Sequence, residues 1–284
     1  MQSLGVLRVL GVLLVMFSTT LLPPILIALI GKDGGLQPFL VAYVTTLFVG
    51  GALWVPLRHQ RRELRVRDGF LIVVLFWTVL ALFGALPLLL SADLEISITD
   101  ALFESMSGLT TTGATVLTGL DALPASILYY RQQLQWLGGM GIIVLAVAVM
   151  PMLGVGGMQL YRAETPGPMK DNKLTPRITE TAKALWYIYL GLTVTCALAY
   201  WAAGMTFFDA VSHAFSTVAI GGFSTHDASL GFFNSSAIAL IAVCFMLISA
   251  VNFALHFTVV RGRSLGCLLY TSDAADEGLG VDLG

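Results

Sequence analysis

Charge is scarce in this chain. Only 11 % of its 284 residues are Asp, Glu, Lys or Arg, against 57 % hydrophobic residues, and the net charge is −2. Soluble domains carry about a quarter charged residues, and mean hydropathy here is +0.85, so a water-soluble globule is excluded. Nucleic acid is not an expected partner, because a chain without excess positive charge has little to offer phosphates. Cysteine is almost missing. Cys196 and Cys244 lie in apolar runs and Cys267 in the tail, so neither a disulfide framework nor a zinc site is indicated. No small-residue cleavage site precedes Pro23, and the first apolar run is too long for a signal peptide, so it reads as a retained helix. H-E-x-x-H, G-x-S-x-G, a Walker loop and G-x-G-x-x-G are all absent. Nothing therefore points to an enzyme, and no cofactor is implied.

What is present is long apolar runs. Six of them, 9–30, 38–57, 70–90, 134–153, 184–204 and 237–260, are uncharged and meet the roughly 20 residues that a bilayer crossing takes. The expected fold class is an all-α polytopic membrane protein. Two shorter segments, 100–109 and 209–217, reach only about half-way at roughly 1.5 Å per residue. They read as re-entrant pore helices. Asp100 and Asp209 are expected as their N-caps. The partly negative C-terminal end of each then points into the membrane, which favours a cation there.

Each short segment runs into a glycine-bearing loop. Residues 100–115 read D-A-L-F-E-S-M-S-G-L-T-T-T-G-A-T. Non-helical backbone is tolerated at membrane depth only where it lines a cavity or path, because lipid cannot satisfy free N–H and C=O groups. A short helix followed by Thr-Thr-Thr-Gly is the chemistry of a cation filter, a ring of carbonyls that replaces the hydration shell of an ion. The layout returns at 208–224 as F-D-A-V-S-H-A-F-S-T-V-A-I-G-G-F-S. At an offset of 109 residues Asp100 falls on Asp209, Ala101 on Ala210, Ser107 on Ser216 and Gly113 on Gly222, with Trp77 on Trp186 and Ser126 on Ser235. A repeat this long is a duplicated module, not a solenoid unit.

Basic residues mark the sides of the membrane. Arg8, the cluster Arg58, Arg61, Arg62, Arg65 and Arg67, the cluster Arg162, Lys170, Lys173, Arg177 and Lys183, and the pair Arg261 and Arg263 are expected in the cytoplasm. Lys32 and Arg131 then remain outside, the N-terminus is cytoplasmic, and both loops open from the outer face. Glu104 and His213 occupy equivalent positions in the two short helices. They either tune the potential at the outer mouth or hydrogen-bond neighbouring backbone. Asn252 and His256 lie one helical turn apart and read as packing or interhelical bonding, with no third ligand to suggest a metal. Gly138 and Gly141 read as a close helix contact.

The 100–115 motif, Q-W-L-G-G-M-G-I at 135–142, A-F-S-T-V-A-I-G-G-F-S-T at 214–225 and N-F-A-L-H-F at 252–257 together resemble the membrane subunits of Trk potassium uptake, in the Trk/Ktr/HKT superfamily. The resemblance covers about residues 1–263. It implies four helix–pore-loop–helix modules around one pore, like a potassium channel in one chain, with two extra N-terminal helices. Carried over by position, one filter strand is Thr110, Thr111, Thr112 and Gly113, and the other is Ala219, Ile220, Gly221 and Gly222. The resemblance implies backbone-carbonyl ligation of K+ by Thr111, Thr112, Ile220 and Gly221, with Thr110, Gly113, Ala219 and Gly222 in support. It also implies a bacterial inner membrane location, a homodimer, and a cytoplasmic nucleotide-binding regulatory subunit of the Trk A type.

The expected organisation is 1–57 as the two extra helices, 69–157 and 178–263 as two modules, and 264–284 as a tail. That tail, from S-L-G-C-L-L-Y-T-S onward, reads as foreign or read-through sequence. The chain would then be the N-terminal half of a four-module protein, the alternative being a short polar tail on a half-length one. Three functions stay open: the pore-forming part of a potassium-uptake system, a secondary transporter of another class with broken helices, or a fragment without transport of its own.

Overall fold

The structure is a computed structural model that describes residues 3–58, 66–141 and 178–251. All regular structure in these residues is helical: α1 (Ser3–Thr19), α2 (Leu22–Gly31), α3 (Leu36–Trp54), α4 (Val66–Gly84), α5 (Leu86–Leu90), α6 (Ile98–Leu109), α7 (Ala125–Gly139), α8 (Ile178–Ala202), α9 (Phe207–Val218) and α10 (Ser236–Ala250). Among the described residues four helical stretches are long and apolar enough to cross a membrane: Leu4–Gly31, Leu36–Leu57, Asp68–Leu90 and Lys183–Ala202. They match the runs 9–30, 38–57, 70–90 and 184–204. The far ends of the runs 134–153 and 237–260 lie outside the described residues. So do Arg61, Arg62, Arg65, Arg162, Lys170, Lys173, Arg177, Arg261, Arg263, Asn252, His256, Cys267 and the tail 264–284.

Helix α1 packs on α3, and α4 packs on α1 and on α6. The α1–α3 approach is close because both helices carry glycine at the crossing. A Cβ on Gly11 would sit 2.9 Å from the Gly50 carbonyl oxygen. Membrane helices gain little from hydrophobicity against lipid, so small residues and backbone contact hold them. One buried apolar cluster joins α1 to α7, and a second joins Met140 to α8, α9 and α10. Trp136 of α7 bridges towards the second half: its ring stacks on Phe215 at 5.0 Å, and its indole N–H donates to Thr193 Oγ1 at 3.0 Å.

Helix α7 departs from expectation. The apolar run begins at 134, but the helix begins at Ala125. Tyr130, Arg131, Gln132, Gln133 and Gln135 are all buried within it. Polar letters suggest a loop, yet here most of them meet polar backbone inside the protein. Gln133 Nε2 donates to Thr20 O at 2.7 Å. That carbonyl sits at the break between α1 and α2, and the residue four places on is Pro24, which has no N–H to offer it. A second break, between α4 and α5, is met in the same way: Tyr130 OH donates to Gly84 O at 2.8 Å. We expect Gln133→Leu to leave the Thr20 carbonyl unmet and to cost about 1–3 kcal/mol. The unfolding midpoint in detergent measures it, and an unchanged midpoint would mean that the break needs no partner.

Candidate functional site

The two short helices α6 and α9 start alike. Ser97 caps α6, accepting from Asp100 N at 3.1 Å, while the Ser97 N–H reaches Asp100 Oδ2 at 3.3 Å. Thr206 caps α9, accepting from Asp209 N at 3.1 Å and donating to Asp209 Oδ2 at 2.7 Å. Asp100 and Asp209 are therefore not the N-caps that the sequence suggested but the third helical residues. The hydroxyl three letters upstream takes the cap, and the carboxylate folds back on it. Both helices gain a short N-terminal extension over the expected segments.

The two strands beyond them repeat each other bond for bond. Thr112 N donates to Ser107 O at 2.9 Å, and Gly221 N to Ser216 O at 2.8 Å. Ser107 Oγ donates to Ala114 O at 2.6 Å, and Ser216 Oγ to Phe223 O at 2.7 Å. Thr111 and Ile220 take left-handed φ values of 55° and 53°, and Gly113 and Gly222 take 75° and 87°. A β-branched residue in that region is strained by about 1–3 kcal/mol, and such strain concentrates at functional sites. Every pair is separated by the offset of 109 seen in the sequence. Among the described residues, no backbone or side-chain donor reaches the carbonyls of Thr111, Thr112, Ile220 or Gly221. The strands also touch: a Cβ on Gly113 would fall onto the Gly221 carbonyl oxygen. Gly222, the equivalent of Gly113, has no neighbour within 4 Å among the described residues.

Behind the strands lie side chains that sequence reasoning placed elsewhere or missed. Arg131 was read as one of the two basic residues left on the outer side of the membrane, with no partner named for it. It is fully buried. Its Nε donates to Glu104 Oε1 at 2.7 Å, with both side chains at 0 % exposure. Its Nη2 donates to Thr115 Oγ1 at 3.0 Å and its Nη1 to Ser224 O at 3.1 Å. The guanidinium also lies 4.4 Å from the Phe223 ring centre. Glu104 accepts in addition from Thr115 Oγ1 at 2.9 Å and from Val116 N at 3.2 Å. It does bond neighbouring backbone, at Val116 N, but its shortest bond is to the Arg131 side chain, which neither reading named. His213 also bonds neighbouring backbone in the second copy. Its Nδ1 is 2.9 Å from Asp209 O and its Nε2 2.9 Å from Ser224 Oγ. A carbonyl can only accept, so Nδ1 donates. Gln135 Oε1 accepts from Phe223 N at 3.0 Å. The signal that could have found these groups was a run of Arg and Gln letters immediately before an apolar segment. Gly138 makes the expected close contact, its Cα pressed against Leu109 at the end of α6.

Between the loops at 119–123 and 225–228, His226 Nδ1 contacts Asp121 Oδ1, and Asp227 N donates to Asp121 Oδ2 at 3.4 Å. His226 also stacks on Phe232 at 3.6 Å, with Nε2 3.4 Å from Asp209 Oδ1. The His226 hydrogen bond, helped by Asp227, holds the Asp121 carboxyl below its ordinary 3.8 against the opposing effect of burial. A depressed carboxyl stabilises the fold above its ordinary value and loses that contribution as pH falls through the lowered one. This tie between the two loops should hold at neutral pH and fail only below 3.8. Asp121→Asn should speed amide exchange at 119–123 and 225–228 at neutral pH, and the difference from the parent should close in that acid window. A difference that persists there would assign the effect to something other than ionised Asp121.

Comparison with known proteins agrees with this geometry. A family profile named TrkH and described as a cation transport protein matches residues 35–270. The Trk system potassium uptake protein TrkH of Halomonas elongata is 68 % identical over 260 residues, covering 92 % of this chain and 54 % of that protein. The protein of the same name from Escherichia coli K12 is 60 % identical over 265 residues, covering 93 % of this chain and 55 % of that protein. The crystal structure of the potassium transporter TrkH from Vibrio parahaemolyticus superposes with a TM-score of 0.80 at 56 % identity, over 94 % of this chain and 53 % of that one. The chain spans about half the length of the curated relatives it matches. By the family profile and these relatives, with the two short helices and the two strained loops in the expected register, it belongs to the TrkH family of cation transport proteins.

Proposed function

We propose that this chain forms two of the filter strands of a potassium-uptake pore and that its function is transport, not catalysis. K+ is held by the backbone carbonyls of Thr111, Thr112, Ile220 and Gly221. Thr110, Gly113, Ala219 and Gly222 support them. The observation that carries this reading is the set of free carbonyls on two matching, strained strands pinned from behind. Lone pairs without protein donors suit a dehydrated cation. The C-terminal ends of α6 and α9 add partial negative charge at the same level. K+ is also what the names of the relatives specify.

The pore sits in a bacterial inner membrane with the N-terminus in the cytoplasm. The basic residues Arg162, Lys170, Lys173, Arg177 and Lys183 provide charge for docking a cytoplasmic nucleotide-binding regulatory subunit of the Trk A type, and the full assembly is a homodimer. Single cysteines labelled from the outer face should react at 117–126 and stay silent at 58–68 and 158–183. The reverse pattern would invert the orientation.

The test of transport is a chimera in which residues 3–251 replace the matching part of the Vibrio parahaemolyticus relative. It should restore growth of an uptake-deficient strain at micromolar K+. A chimera that reaches the membrane, folds and takes up no K+ would overturn the reading.

A further inference from the structure

The Arg131 guanidinium touches both strands at equivalent places. Thr115 lies two residues beyond Gly113, and Ser224 two residues beyond Gly222. One planar group therefore meets the same position of each copy, through Nη2 at 3.0 Å and Nη1 at 3.1 Å. Its Nε is anchored to Glu104 at 2.7 Å. A fork with fixed donor directions sets the spacing of its acceptors in a way a flexible ammonium cannot. Module symmetry does not account for the arrangement. The residue 109 positions after Arg131 is Leu240, which is 64 % exposed, and the partner of Glu104 in the repeat is His213. Among the described residues the second module has no guanidinium equivalent to Arg131; its own Asp209 Oδ1 accepts from Thr225 Oγ1 at 2.8 Å, and Ser224 O takes its donor from the first module's Arg131.

We propose that Arg131 is a positioning residue for cation discrimination: by gripping Thr115 and Ser224 together it sets the separation of the two carbonyl strands. Arg131 does not touch the ion. It acts through the loop residues that follow each glycine. This inference rests on the transport reading above and adds to it the group that holds the two strands in register.

The test uses the same chimera and measures uptake of K+ against competing Na+. Replacing the buried pair as a whole, Glu104→Leu with Arg131→Met, removes the clamp while leaving no unpaired charge, and buried pairs tolerate such exchange. We expect a folded protein whose K+ over Na+ preference falls about tenfold or more, as carbonyl spacing relaxes. Thr115→Val, which removes one acceptor and keeps the ion pair, should move the preference in the same direction by a smaller factor. Arg131→Lys keeps the charge and loses the fork, and should resemble the double variant. A folded double variant or Arg131→Lys variant with parental discrimination would overturn the inference. If the double variant does not fold, Thr115→Val and Arg131→Lys decide it. If the parental chimera takes up no K+, the transport reading is what has failed. The clamp is then read by amide exchange, where Arg131→Lys must loosen 110–116 and 219–225 together, and loosening of one segment alone would overturn it.

Discussion

Glu104→Gln is expected to be among the most damaging single substitutions in the chain. The side chain changes by one atom, but the Arg131 guanidinium stays behind at 0 % exposure without a counter-charge. Removing one partner of a buried pair costs about 3–5 kcal/mol, because the remaining charge has lost its solvent and its partner together. Val116 N and Thr115 Oγ1 lose the same carboxylate, so the first strand loosens with it. Chemical unfolding in detergent reads the cost directly. A loss below about 1 kcal/mol, the range of exposed pairs, would mean that water reaches Arg131.

Gly113→Ser should leave the protein in the membrane and abolish the discrimination between K+ and Na+, or uptake altogether. Two effects combine. At φ 75° a side chain is strained by about 1 kcal/mol or more. The new Cβ would also fall onto the Gly221 carbonyl oxygen, which is backbone and can yield only by moving the strand. The proposed ligand at Gly221 is thus displaced by a change in the other module. Gly222→Ser has the same φ problem, at 87°, but no neighbour within 4 Å among the described residues. It should cost less. Uptake and competition assays on the two variants separate the effects. Equal, parental discrimination in Gly113→Ser would reduce that residue to a turn.

Much of this arrangement was legible before any coordinates. Apolar runs against scarce charge give membrane helices, because a bilayer accepts little else. The repeat at 109 residues placed two short helices and two glycine loops, and the backbone repeats φ for φ at Thr111 and Ile220 and at Gly113 and Gly222. Local chemistry was misjudged by a turn at the caps. Ser97 and Thr206 compete with Asp100 and Asp209 for the same N–H groups, and letter order does not say which oxygen wins.

By itself, the sequence determined the fold class, the family, the strand positions and the pairing of residues between copies. All but the family follow from composition, periodicity or spacing along one chain, and the family follows from the resemblance of its motifs. Tertiary structure decided what Arg131, Gln133, Gln135 and Tyr130 do. Their partners are Glu104, Thr115, Ser224, Thr20, Phe223 and Gly84, many of them carbonyls or N–H groups that every residue possesses. A backbone group freed by a proline or a turn leaves no mark on the residue that comes to meet it. Whether a lone arginine marks the water outside or clamps two strands inside depends on what folds around it, because a charge is stable in either place only if something there replaces its water.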